Sequence, residues 1–208
     1  MRRLPTLNLA SAQSYRVVCH LLEHPRTNIL EVSKATEVSY GWSNEVVNFL
    51  RDAGIVSVGW RRCELVDPIR LMEIVAFQRP FDKLIGRSFN LEALSVTEGE
   101  NLLRESCLSR HVRYGLTAFS GLGRFMEYYI TYPTIHAYVE DLKVTNQIPK
   151  GNGPIQINLL SVDHLNILDN LVEVGGFSVC SRAQVAIDLF SSGLGRDAAI
   201  RLVEMMKR

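Results

Sequence analysis

The stretch at residues 29–66, ILEVSKATEVSYGWSNEVVNFLRDAGIVSVGWRRCELV, decides the reading of this chain. Asn28 can cap a helix over residues 29–37, with Ile29, Val32 and Ala35 on its inner face. Val38 leads to Ser39, whose hydroxyl can cap a further helix running to about Ala53. Gly54 then stands where a left-handed residue closes a helix. Beyond it, residues 55–59 and 63–66 are two short strand-like runs. The intervening Trp60-Arg61-Arg62 leaves room only for a hairpin turn. Two short helices, a tight turn and a hairpin tipped by Arg61-Arg62 form the outline of a winged helix-turn-helix. The second helix of such a module enters the major groove.

On that second helix Ser43, Val46, Val47 and Leu50 make one stripe and should face inward. Tyr40, Trp42, Asn44, Glu45 and Asn48 are left on the opposite face. Asn can pair bidentately with adenine, and Glu can accept from the cytosine amino group. Tyr40 and Trp42 can touch thymine methyls or pack beside the sugar. A face so poor in cations needs phosphate contacts from elsewhere. Arg61 and Arg62 can supply them from the hairpin, with Lys34 and Arg51 flanking the module. The expected partner is double-stranded DNA. Plainer readings stand beside this one: Trp42 as a core residue, Asn44 and Asn48 as a solvated face, Arg61-Arg62 as a solubilising turn. Winged modules also serve as protein-docking folds, so the block can be a protein-interaction module instead.

Bulk properties narrow the field. The chain has 208 residues, 47% hydrophobic and 22% charged, enough for a buried core. A net charge of +1 means that nucleic-acid affinity must come from local patches, which disfavours non-specific coating of DNA. Cys19, Cys63, Cys107 and Cys180 are scattered, without a CxxC pair or a histidine at ligand spacing, as expected of free thiols in a reducing cytoplasm. The basic start Met1-Arg2-Arg3 lacks an apolar run behind it, and no segment approaches the roughly 20 apolar residues of a membrane helix. A cytoplasmic protein with no membrane contact is expected. Ser-Gly-Leu-Gly-Arg occurs at residues 120–124 and 192–196, but neither copy has the strand-before, Lys-Ser/Thr-after context of a phosphate loop. No cofactor is expected.

The remaining segments give an α+β order. Residues 11–23 read as a helix capped by Ser11, and Asp67-Pro68 opens another over residues 69–78. Arg79-Pro80 ends it, dividing the chain into domains at 1–80 and 81–208, with residues 80–94 as connector. Helices are expected at residues 96–107, with Thr97 and Glu100 as a capping box, and at residues 115–128. Strands are expected at residues 133–139, 155–160 and 177–180. Closing helices are expected after Ser181 and at residues 196–206.

Several of these pieces resemble the C-terminal domain of AbiEi-type antitoxins of type IV toxin–antitoxin systems. They are residues 114–120 (YGLTAFS), 134–139 (TIHAYV), 177–189 (FSVCSRAQVAIDL) and 195–199 (GRDAA). The most specific is the spacing of Val179, Ser181, Gln184, Asp188 and Leu189. With the N-terminal module, the likeness covers essentially the whole chain. It implies a winged helix-turn-helix followed by a small mixed α/β domain distantly nucleotidyltransferase-like. It also implies a DNA-binding autorepressor acting against a cognate toxin, and it leaves a homodimer open. A working nucleotidyltransferase needs two or three carboxylates on adjacent strands to hold metals. Here the candidate strand offers Thr134, His136 and Tyr138, with Glu140 and Asp141 only after its end, so an enzyme is not expected.

Overall fold

Three of the first four helices begin at side-chain caps, as the local sequence demands. Asn28 accepts from the Glu31 amide at 3.0 Å, Ser39 from Trp42 at 3.3 Å and Asp67 from Arg70 at 3.0 Å. Each such cap stabilises its helix by about 1 kcal/mol. The computed structural model describes residues 7–60, 62–128 and 132–206, and within them the chain is α+β. It divides into two compact units, Met1–Arg79 with Val203–Arg208, and Pro80–Leu202.

The first unit runs α1 (Ala12–Glu23), β1 (Arg26–Thr27), α2 (Ile29–Thr36), α3 (Tyr40–Asp52), β2 (Val56–Gly59), β3 (Arg62–Leu65) and α4 (Pro68–Gln78). Its three strands form an antiparallel sheet in the order β1-β3-β2. Val17, Val18, Leu21 and Leu22 of α1 are buried, as are Val46, Val47 and Leu50 of α3 and Leu71, Met72 and Val75 of α4. Each group follows the three-and-four spacing that aligns side chains along a helix. Two details differ from expectation. Ser11 precedes α1 but makes no capping bond, its hydroxyl donating to Ser14 Oγ instead. On α2 it is Thr36 that turns inward while Ala35 is exposed. The Thr36 hydroxyl donates back to the Val32 carbonyl at 2.7 Å, which lets a polar residue occupy a buried position.

The second unit holds a six-stranded mixed sheet in the order β4-β7-β6-β5-β9-β8. Its strands are β4 (Ile85–Asn90), β5 (Tyr114–Leu116), β6 (Thr134–Val139), β7 (Gln156–Ser161), β8 (Val172–Val174) and β9 (Phe177–Val179). The β6–β7 and β5–β9 pairs are parallel and the others antiparallel. Its helices are α5 (Val96–Ser109), α6 (Ala118–Phe125), α7 (Asn166–Asp169), α8 (Arg182–Ser191) and the part of α9 (Arg196–Met206) up to Leu202. All six residues of β6 are buried, so this central strand is covered on both faces despite its apolar–polar alternation. A two-residue turn at Gly175-Gly176, with φ of +60° and +78°, joins β8 to β9, a geometry open to glycine at both positions.

Three expectations for this unit are corrected. Residues 80–94 are more than a connector: they contain β4, an edge strand paired to β7 with a register shift between Ile85 and Arg87. Residues 115–128 are not one helix, because Tyr114–Leu116 is a buried strand and α6 begins only after Thr117. Gly115 lies so close to Leu171 and Cys180 that a Cβ there would meet their side chains at 2.4 and 2.9 Å, a reason for glycine in a strand. The capping box sits two residues earlier than expected. Ser95 accepts from the Glu98 amide and Glu98 accepts from the Leu94 amide, whereas Glu100 is buried against Arg124.

A fully buried carboxylate ties α8 to the sheet. Asp188 accepts from Thr117 Oγ1 at 2.6 Å, Gln184 Nε2 at 2.9 Å and Tyr138 OH at 3.1 Å. Thr117 stands between β5 and α6 and Tyr138 lies on β6, so one side chain joins three elements to α8. Ser181 caps α8 through the Gln184 amide, as its position predicted.

Candidate nucleic-acid interface

A short turn sets the angle between α2 and α3. Glu37 takes a left-handed conformation (φ 56°), Val38 is buried, and the Ser33 hydroxyl donates to the Val38 carbonyl at 2.7 Å. Ser39 then opens α3. At the other end Gly54 has φ +73° and carries the chain from α3 into β2. Ser43, Val46, Val47 and Leu50 of α3 are all buried, the stripe expected to face inward.

Opposite that stripe, Tyr40, Asn44, Asn48 and Arg51 follow one another at helical spacing. Tyr40 is 55% exposed, Arg51 and Glu45 are exposed, and Asn44 and Asn48 are half-buried. Gly41 is also exposed on this arc and has open space where a Cβ would stand.

Trp42 is placed differently from the rest. It is half-buried, and its indole N–H donates to Ser14 Oγ on α1 at 3.3 Å. The ring therefore braces α3 against α1. It does not share the stripe of Tyr40, Asn44 and Asn48.

The charges around α3 nearly balance. Arg51 donates Nε and Nη2 to Oδ1 of its neighbour Asp52, at 3.0 and 2.9 Å. Lys34 is exposed on α2. Arg62 is exposed on β3, where it pairs with Gly59 across the hairpin; it belongs to the strand and not to the turn. Arg61 lies outside the described residues. Beside Arg62 on the outer face of the sheet, Glu64 accepts from Arg26 Nε at 2.9 Å. At the hairpin end Trp60 is 87% exposed.

Behind α2, a recess of about 490 Å³ is lined by His20, His24, Thr27, Glu31 and Lys34 among others. The His20 and His24 rings are 4.6 Å apart. Burial, then the neighbouring His24, lower the His20 pKa to about 4 against the pull of Glu31, so His20 is neutral at pH 7. Burial also pushes the Cys63 thiol up, with Glu31 adding to the effect.

In the second unit Thr134, His136 and Tyr138 are buried within the sheet. His136 Nε2 lies 3.1 Å from Asn158 Nδ2, and burial lowers its pKa to about 4. Glu140 follows β6 on the surface, where Arg113 bridges it to Asp169 and holds its carboxyl below the usual range. Among the described residues no three His, Cys, Asp or Glu side chains are grouped so as to hold a metal ion. Among the same residues no helix is long and apolar enough to cross a membrane. Compared with known protein families, curated proteins and solved structures, the chain matches none.

Proposed function

We propose that the chain is a sequence-specific DNA-binding regulator of the AbiEi antitoxin type, an autorepressor whose first unit is a winged helix-turn-helix. One observation carries the reading: α3 follows a short capped turn, buries a continuous stripe and leaves Tyr40, Gly41, Asn44, Glu45 and Asn48 on the other side. In this reading α3 lies in the major groove. Asn44 and Asn48 read base edges, Tyr40 lies beside the sugars, and the hairpin of β2 and β3 brings Arg62 to the backbone. The order of strands and helices around a three-stranded antiparallel sheet supports the winged assignment. The reading of the second unit is non-catalytic, with a cognate toxin as the protein partner.

The test is equilibrium binding of the full chain to the duplex upstream of its own gene and to a scrambled duplex, at physiological salt. Specific complexes fall at about 10⁻⁸ M or tighter and at least about a thousandfold below non-specific binding. Equal affinity for the two duplexes overturns the proposal. The near-neutral face and the 87% exposed Trp60 favour one other reading, a first unit that docks a protein. In that case the scrambled and upstream duplexes bind alike, and Trp60→Ser abolishes capture of the partner.

A further inference from the structure

A cavity of about 320 Å³ in the second unit lies between the start of α5 and α6, lined by three aromatic rings and an ion pair whose carboxylate is buried and whose guanidinium is partly exposed. Phe119 and Tyr132 are stacked there, with centroids 5.0 Å apart and planes at 12°, and Tyr128 is tilted beside Phe119 at 6.0 Å. The Arg124 guanidinium is fixed from two sides: it pairs with Glu100 and lies 3.9 Å over the Phe177 ring. Glu100 is almost wholly buried, and burial pushes its carboxyl up while Arg124 and Ser120 oppose the shift. Such a pair is weak as a stabilising device, because desolvation of the Glu100 carboxylate offsets much of the attraction. As a receptor it is well built. A guanidinium has five N–H donors, and one carboxylate together with a flat ring beneath it fixes the plane in which the others point. Outside the lining, the Arg201 guanidinium lies 6.0 Å from the Tyr128 ring.

We propose that this cavity binds a small planar aromatic or heteroaromatic anion, its ring against Tyr128 and Tyr132 and its carboxylate or phosphate on Arg124. The volume suits a one- or two-ring molecule and lies at the lower end of the range for small-molecule sites. A ring without a charge forgoes the donors that Arg124 does not give to Glu100, and a bare anion leaves the aromatic walls wet. The combination is selected over either part. The site is independent of what the first unit binds.

The experiment is calorimetric titration of the full chain with three ring-bearing anions: benzoate, indole-3-carboxylate and phenyl phosphate. Acetate and inorganic phosphate supply charge alone; phenol and indole supply the ring alone. At least one ring-bearing anion should bind about tenfold more tightly than either of its parts, and carboxylate against phosphate then identifies the anion. Two variants place the binding in the cavity. Gly123 lines it, and a Cβ there would meet nothing within 4 Å, so Gly123→Leu fills the space while favouring the helix. The paired change Glu100→Gln/Arg124→Gln keeps hydrogen-bonding groups and removes the charges. Thermal melts confirm that each variant is folded. Binding should be lost in the first variant and fall to the level of the ring alone in the second. Binding unchanged by Gly123→Leu, equal affinity for the part-molecules, or no binding by any of the three anions overturns the proposal.

Discussion

Removing Arg62 tests the electrostatics of the proposed interface most directly, because that side chain is exposed on β3 and its neighbour on the outer face, Glu64, already accepts from Arg26. The described cations assigned to phosphates in the proposed interface are Lys34, Arg51 and Arg62. Each phosphate neutralised contributes about −0.9 to the slope of log affinity against log salt. Three contacts give a slope of about −2.7, or about a fortyfold loss of affinity between 50 and 200 mM salt. Arg62→Ala should lower the slope to about −1.8 and the loss to about twelvefold, on specific and scrambled duplexes alike. Arg51 behaves differently, since it must first leave Asp52, to which it gives two donors. An exposed pair of this kind is worth about 1 kcal/mol or less, so Asp52→Asn should free Arg51 and raise affinity a few-fold at low salt. Arg61 lies outside the described residues, and Arg61→Ala/Arg62→Ala should flatten the slope further by about 0.9 if residue 61 also meets a phosphate. The assay is fluorescence anisotropy at four salt concentrations. An unchanged slope in Arg62→Ala would refute the placement of the hairpin on the backbone.

Asn44→Ala should act on sequence and not on salt, costing about 1–3 kcal/mol at one base pair with the slope intact; a uniform loss over all single-base variants of the site counts against direct readout. Trp42→Phe removes the bond to Ser14 and should cost about 1 kcal/mol in urea unfolding while leaving DNA affinity within about twofold; a large affinity loss would return Trp42 to the reading face. Asp188→Ala strands three buried donors and should destabilise the chain by about 3–5 kcal/mol, against no more than about 1 kcal/mol if the network is dispensable. His136 gives a pH signature. Its folded pKa of about 4 lies below the ordinary 6.5, so above pH 6.5 both states are neutral and no linkage exists. Below 6.5 the unfolded chain takes up the proton first, so stability falls as pH drops from 6.5 to 4, by about 3 kcal/mol for this residue. His136→Gln should remove that part of the decline in urea midpoints, and an identical decline in the variant would refute it.

How much of this was legible depended on whether a local rule was also the deciding one. The caps at Asn28, Ser39, Asp67 and Ser181 act over three residues, and each lies where its neighbours required. The inner stripe of α3 was legible for the same reason, since four apolar or small residues at helical spacing admit one burial. Non-local decisions were not visible. Tyr114-Gly115-Leu116 looks helical beside a following helix, and only pairing with β6 and β9 makes it a strand. Residues 85–90 carry a glycine and three polar side chains, the composition of a loop, because an edge strand needs little apolar surface. On the candidate interface, the stripe of Tyr40, Asn44 and Asn48 could be read from spacing. The bond from Trp42 to Ser14 could not, because it joins residues 28 apart.

The buried carboxylate bears on what the proposed likeness to antitoxins can mean. Its most specific spacing was Val179, Ser181, Gln184, Asp188 and Leu189. Here Val179 is a core residue of β9, Ser181 is the cap of α8, and Gln184 and Asp188 belong to a network with Thr117 and Tyr138. Leu189 is fully buried, and a Cβ on Gly195 would meet its side chain at 2.6 Å. Every member of the motif acts in packing or in joining α8 to the sheet, and the Asp188 carboxylate is shut off from solvent. A motif of this kind specifies a scaffold, because a lost partner leaves a buried charge or donor unanswered. It says nothing of a ligand. The residues proposed to meet partners lie elsewhere: on the outer arc of α3 and β3 in the first unit, and around Arg124 and Tyr128 in the second. Two chains could share the scaffold motif and differ in both places, so tests of function belong on Asn44, Arg62 and Arg124 and tests of fold on Asp188.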